Sequence, residues 1–248
     1  MPVPVANVKR DAGPCVWTHG WKDAAVPALE MTSTRRALLE AVAAHVPAHA
    51  ADGVRVGVDG VDGAGKTVFA DQLADVLRVF GRSVVRVSAD DFHQPRAVRH
   101  RRGRGSPEGF WLDSYDYPAL QERVLHPFGP GGCLRYRTAS HDLDADRRRD
   151  PPLREAAPGD VLVLDGLFLH RDELVGSWDL SVFLQVPCAV AAARMAARDG
   201  SHPDPTHPSV ARYVRGQELY FAACRPWQRA DLVGDATDLD APTLVRPC

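Results

Sequence analysis

Gly60-Val61-Asp62-Gly63-Ala64-Gly65-Lys66-Thr67 reads G-x-x-x-x-G-K-[ST], the pattern of a P-loop. In such a loop the backbone N–H groups wrap phosphate, the lysine reaches the outer phosphates and the hydroxyl ligates Mg²⁺. Gly60, Gly63, Ala64, Gly65, Lys66 and Thr67 are therefore the expected nucleotide-binding residues. Lys66 is one of three lysines in the chain, with Lys9 and Lys22; the other 27 of 30 basic residues are arginine. A compact ammonium is thus kept where a planar guanidinium fits badly. With 20 glycines and three lysines in 248 residues, chance supplies the pattern on the order of 10⁻³ times per chain. A nucleoside triphosphate, with Mg²⁺, is the expected ligand.

Around this loop, strand and helix signals alternate. Val54, Val56 and Val58 form a strand that runs into the P-loop, and Thr67 to Phe80 has helical spacing (Val68, Phe69, Leu73, Val76, Leu77, Phe80) stopped by Gly81. Ser83–Ser88, Val161–Leu164 and Leu180–Val186 read as further strands, an alanine-rich helix follows over Ala189–Arg198, and Asp231-Leu232-Val233 is a short strand candidate. Thr32-Ser33-Thr34-Arg35 offers an N-cap for a helix reaching about His45. This alternation implies a doubly wound α/β fold, with a mainly parallel sheet, helices on both faces and ligands at the strands' C-terminal ends. Residues 1–30, with four prolines and no sustained periodicity, read as an extension, with Met31 an alternative start. A P-loop domain would then span 31–248, with a substrate-side insertion at about 91–150 and a lid at about 194–212.

Composition narrows the classes. The chain is 45% hydrophobic and 25% charged, and its formal net charge of −2 gives no global field toward nucleic acid or membrane. No apolar run approaches the length of a membrane span. Five scattered cysteines (Cys15, Cys133, Cys188, Cys224, Cys248) with no paired spacing read as free thiols, so the cytoplasm is the expected compartment. With Lys66 the only lysine after residue 22, the Asn-Lys-x-Asp base reader of a GTPase has no counterpart. A compact domain of this kind suits a small-molecule kinase.

Two carboxylates fit that chemistry. Asp90, in Ser88-Ala89-Asp90-Asp91-Phe92, closes the second strand, whose end lies beside the P-loop in a doubly wound sheet. A carboxylate there can accept a hydroxyl proton from the acceptor and help position Mg²⁺. Asp165 follows the apolar run Val161–Leu164 as in a Walker B strand, where it would hold Mg²⁺ through Thr67 or water. Arg194 and Arg198, four residues apart, share one helix face. The run Arg96, Arg99, His100, Arg101, Arg102, Arg104 reads as a solvated loop, a flap over an anionic or polar substrate, or an RNA-binding loop.

The order P-loop, Asp90-Asp91-Phe92, Tyr136 with His141, Asp165-Gly166 and an arginine-bearing helix resembles the uridine kinase family of P-loop kinases, from about Val54 to Asp238. The wider group includes phosphoribulokinases, pantothenate kinases and nicotinamide riboside kinases. The resemblance implies ATP and Mg²⁺ as cofactors, Asp90 as the catalytic carboxylate, and Arg194 and Arg198 as lid arginines that clamp the transferring phosphate. It also implies that Tyr136 and His141, matching Tyr-x-x-x-x-His, contact a nucleoside base, and that Asp113 begins the segment beside the acceptor. The family's ribose-binding carboxylate would fall on Phe110, and its usual Walker B glutamate on Asp165. The expected reaction is transfer of the ATP γ-phosphate to a small-molecule hydroxyl, first of all a nucleoside of the uridine or cytidine type, with Lys66, Asp90 and Arg198 carrying the chemistry. Two alternatives stand beside it: a same-fold kinase for nicotinamide riboside, pantothenate or a sugar phosphate, and a nucleotide-dependent RNA-binding or regulatory module without transfer activity. No membrane partner is expected, nucleic acid is disfavoured, and self-association into a homo-oligomer is left open.

Overall fold

The computed structural model describes residues 30–48 and 52–245. The proposed extension, apart from Glu30, lies outside them, as do Cys15 and Cys248; Cys133 and Cys188 are exposed free thiols and Cys224 a buried one.

Six strands form the central sheet: β1 (Val54–Gly60), β2 (Val84–Ser88), β3 (Val161–Gly166), β4 (Leu180–Gln185), β5 (Leu232–Asp235) and β6 (Thr243–Val245). Their order is β6-β5-β4-β1-β3-β2, parallel throughout except for β6, which pairs antiparallel with β5. Every residue of β1 and β3 is buried, as expected of central parallel strands covered on both faces. Alternation splits β3 between two cores. Val161 and Val163 face the packing of Leu39, Val42, Phe69 and Leu73, whereas Leu162 and Leu164 face Phe92, Leu120, Phe128 and Phe168.

The helices on the first face are α1 (Ser33–His45) and α2 (Lys66–Val79). Thr32 caps α1, its side chain accepting the Arg35 N–H at 3.1 Å, and α2 starts at the P-loop lysine itself. Between β2 and β3 the chain makes a long excursion, with a 3-10 turn at Ala89–Phe92, helix α3 (Pro107–Asp113) and a π turn at Gln121–Leu125. Two small antiparallel ladders join Arg135–Tyr136 to Arg154–Glu155 and His141–Asp142 to Arg147–Arg148. After β4 come α4 (Cys188–Asp199) and α5 (Ala211–Cys224), joined by the segment 200–210.

Because β3 and β4 lie on opposite sides of β1, the strand order reverses there, and a crevice opens at the carboxyl ends of these strands. Gly166 lets β3 end close to the turn that carries Asp90: a Cβ on it would stand 2.4 Å from the Ala89 Cβ.

Candidate active site

Above the carboxyl ends of β1, β2 and β3 lies a cavity of about 1480 Å³. Lys66, Thr67, Asp90, Asp165, Arg194 and Arg198 all line it. The P-loop forms its floor, with Gly60 and Ala64 buried beneath. Gly63 adopts a φ of +77°, and a Cβ there would stand 2.5 Å from the Ala191 carbonyl oxygen of α4. Gly63→Ala should therefore cost about 2 kcal/mol or more, from left-handed backbone strain plus a clash with main chain that cannot swing aside. A thermal melt beside an ATP titration would check this; a variant with unchanged melting and binding would show that the loop tolerates a side chain.

A buried network fixes the root of the loop. Asp59, the residue before Gly60, accepts hydrogen bonds from the Gly60 N–H (2.7 Å), the His170 N–H (3.2 Å) and Tyr220 Oη (2.5 Å), and its Oδ2 lies 2.8 Å from His170 Nδ1. Burial and the adjacent carboxylate push the Tyr220 phenol far above its ordinary value, so it serves as a donor. The partners are 111 and 161 residues from Asp59. No local spacing links His170 or Tyr220 to Asp59.

The half of the site around Thr67 is equally compact. Thr67 Oγ1 donates to Asp165 Oδ2 at 2.7 Å, which leaves the hydroxyl lone pairs for a cation. The other carboxylate oxygen, Oδ1, accepts from Arg86 Nη2 at 2.9 Å. Burial pushes the Asp165 carboxyl up, against the pull of Arg86 and Thr67. Arg86, which breaks the apolar run of β2, also donates to the Val163 carbonyl at 2.6 Å and to Asp71 at 2.8 Å. Hard oxygens of this kind suit Mg²⁺, which takes one or two protein ligands together with phosphates and water. Among the described residues no group of three or more His, Cys, Asp or Glu could hold a metal ion.

Asp90 stands on the 3-10 turn after β2, where its Oδ1 accepts from Tyr115 Oη at 2.9 Å. Burial, then the charges of Asp90 and Asp62, push the Tyr115 phenol well up, so it donates and does not ionise. His93 lies 4.5 Å from the Tyr115 ring centre, its Nδ1 2.8 Å from the Asp90 carbonyl, and burial pushes its pKa down. Asp62, inside the P-loop, is a second buried carboxylate on the cavity wall; burial raises its pKa against the pull of Lys66.

Beyond Asp90 the cavity wall is basic and aromatic: Arg99, His100, Arg104, Arg149, Arg212 and Arg215 line it with Phe110, Tyr115 and Tyr213. The Arg212 guanidinium lies 5.6 Å from the Phe110 ring centre and 5.5 Å from that of Tyr213, and its Nη1 donates to the Arg104 carbonyl at 2.7 Å. Its Nε is buried without a hydrogen-bond partner among the described residues. The arginine-rich run thus contributes a wall of the cavity, and Arg212, from α5, joins it.

Three residues expected at the acceptor do not line the cavity. Asp113 is buried in ion pairs with Arg101 and, at 3.0 Å, Arg102; although burial opposes it, these arginines hold the carboxyl below its usual range. Tyr136 is buried with its ring 5.3 Å from Phe128. His141 is buried, and its Nε2 lies 3.1 Å from Asp146 Oδ1. The two arginines expected in a lid divide. Arg198 lies 2.9 Å from Asp199, whereas Arg194 donates to the carbonyls of Ala236 (2.9 Å), Thr237 (2.8 Å) and Gly63 (3.4 Å).

The sequence matches the model of the phosphoribulokinase/uridine kinase family over residues 55–232. Solved structures with the same fold include a possible uridine kinase from Bacillus stearothermophilus, at 22% identity and a TM-score of 0.61, with 80% of this chain and 97% of that one covered. A phosphoribulokinase from Rhodobacter spheroides aligns at 16% identity and a TM-score of 0.51, covering 80% of this chain and 77% of that one. No curated protein matches the chain.

Proposed function

The chain belongs to the phosphoribulokinase/uridine kinase family, and from that premise we propose that it moves the γ-phosphate of ATP to a hydroxyl of a small anionic alcohol. ATP lies with its phosphates on the P-loop N–H groups and Lys66. Thr67 and Asp165, with Asp90 nearby, would hold Mg²⁺, which when bound neutralises charge on the phosphate oxygens. Asp90 accepts the proton of the attacking hydroxyl, and Arg198 stabilises charge on the equatorial oxygens of the transferring group. Closure of the segment 200–210 over the cavity would exclude water, which otherwise competes as acceptor.

The observation that carries the choice of acceptor is the wall beyond Asp90. Arg99, Arg104 and Arg212 face one cavity, and the buried Nε of Arg212 lacks an acceptor among the described residues. A phosphate or carboxylate on the acceptor would satisfy it by a charge-assisted hydrogen bond. A nucleoside is the second reading, favoured by the rings of Phe110 and Tyr213, which could stack a base. The Tyr136, His141 and Asp113 side chains give it no support, since none lines the cavity.

The test incubates the protein with Mg²⁺-ATP and separate nucleosides, nicotinamide riboside, pantothenate and pentose phosphates, and reads phosphoryl gain by mass spectrometry. A pentose phosphate or other anionic alcohol should gain the phosphoryl group, and Arg212→Ala should raise its KM by about 10- to 100-fold, the worth of one charged hydrogen bond. A nucleoside phosphorylated with no anionic acceptor used would replace the first reading by the second. ATP binding without transfer to any of them would favour the regulatory module.

A further inference from the structure

Helix α1 precedes the matched family segment, which opens at residue 55, yet it carries an arginine that is only 1% exposed. A guanidinium is buried at that depth only where its donors find acceptors. Arg35 Nε donates to Gln72 Oε1 of α2, and Nη1 donates to the Leu239 carbonyl at 3.0 Å. Thr32, at the cap of the same helix, donates to the next carbonyl, Asp240. From α4, Arg194 holds the carbonyls of Ala236 and Thr237. Two arginines and a threonine therefore grip four backbone carbonyls within the segment 236–240.

That segment leaves β5 at the carboxyl edge of the sheet, where Leu239 lines the large cavity. Its Cδ2 lies 3.3 Å from where a Cβ on Gly65 would stand, against the first turn of α2. A triphosphate on the P-loop directs its γ-phosphate toward Asp90, so the base lies at the other end of the phosphate chain. Leu239 offers an apolar surface on the P-loop, apart from the arginines beyond Asp90.

We propose that Arg35 and Thr32 set the segment 236–240 as the wall of the base subsite, which makes α1 a component of nucleotide recognition. The proposal rests on the kinase reading of the same cavity. Arg35 is a positioning residue: it acts through the carbonyls it holds, and the contact with the base falls to Leu239. Two probes separate this from general support of the fold. Mg²⁺-ATP uses both the phosphate cradle and the base wall, whereas Mg²⁺-tripolyphosphate uses the cradle alone.

Calorimetric titration of the full chain with each probe tests it, with Arg35→Gln, Arg35→Lys and Thr32→Ala and a thermal melt of every variant. Arg35→Gln should weaken ATP binding about tenfold or more and leave tripolyphosphate binding within twofold. Arg35→Lys should recover part of the loss. Should Arg35→Gln fail to fold, Thr32→Ala carries the same comparison, with a smaller loss confined to ATP. Equal losses for the two probes, or no loss for either, would overturn the proposal while leaving the kinase reading standing. A wild-type chain that binds neither probe would overturn both.

Discussion

Asp90→Asn should lower kcat by about 10²- to 10⁴-fold, the usual worth of a positioned general base, while the affinity for Mg²⁺-ATP changes by no more than a few fold. Asparagine keeps the size of the side chain and an oxygen that can accept from Tyr115 Oη, now 2.9 Å from Oδ1. It cannot take a proton. Tyr115 itself is buried and held as a donor, so it fixes one oxygen of Asp90, which lines the cavity. Tyr115→Phe removes that restraint and leaves the base, and should lower kcat by a smaller factor, about tenfold. Single-turnover kinetics with a saturating acceptor would measure both. An Asp90→Asn enzyme with wild-type kcat would remove Asp90 from the chemistry and move attention to Asp62, a buried carboxylate that lines the same cavity.

The parts of this molecule that were legible in its sequence are those whose cause is local. The continuous apolar run Val161–Leu164 made β3 readable, because a strand buried on both faces needs no polar alternation, and the alternating Val54, Val56 and Val58 did the same for β1. The cap at Thr32 and the start of α1 were readable from the residues that form them. Short β6, at the sheet edge, offered only three residues and no pattern. Asp165 and Thr67 were each recognisable from local sequence, but their hydrogen bond joins positions 98 residues apart. The hydrogen bonds that join Asp59 to His170 and Tyr220 could not be read locally, since they span 111 and 161 residues and each residue alone looks like an ordinary polar residue in an apolar stretch. Asp113 shows the opposite failure. Its position in the segment suggested the acceptor, but Arg101 and Arg102 in the preceding loop take its carboxylate. A motif-based expectation cannot see such a partner, because an ion pair is decided by how the loop folds back.

The Asp165 and Arg86 pair yields the largest expected change in stability. Asp165 is 2% exposed and the Arg86 side chain 18%, with 2.9 Å between their charged atoms. Asp165→Ala strips the inner partner from a guanidinium whose remaining carboxylate, Asp71, is 59% exposed. Breaking a buried pair from one side costs about 3–5 kcal/mol, and the solvent-facing Asp71 contact places this case near the lower end. The same change removes the acceptor of the Thr67 hydroxyl, so transfer should be lost as well. The two effects can be separated. In the double variant Asp165→Leu with Arg86→Met, no charge is left buried alone, and such replacements are often neutral or stabilising. Urea unfolding should show the midpoint falling in Asp165→Ala and recovering in the double variant, while turnover stays lost in both. If Asp165→Ala unfolds at the wild-type midpoint, Arg86 finds its compensation elsewhere, and the pair is not what fixes Asp165 against the P-loop. If the double variant regains turnover, Thr67 orients without a carboxylate behind it, and the reading of Asp165 as the residue that holds the cation falls.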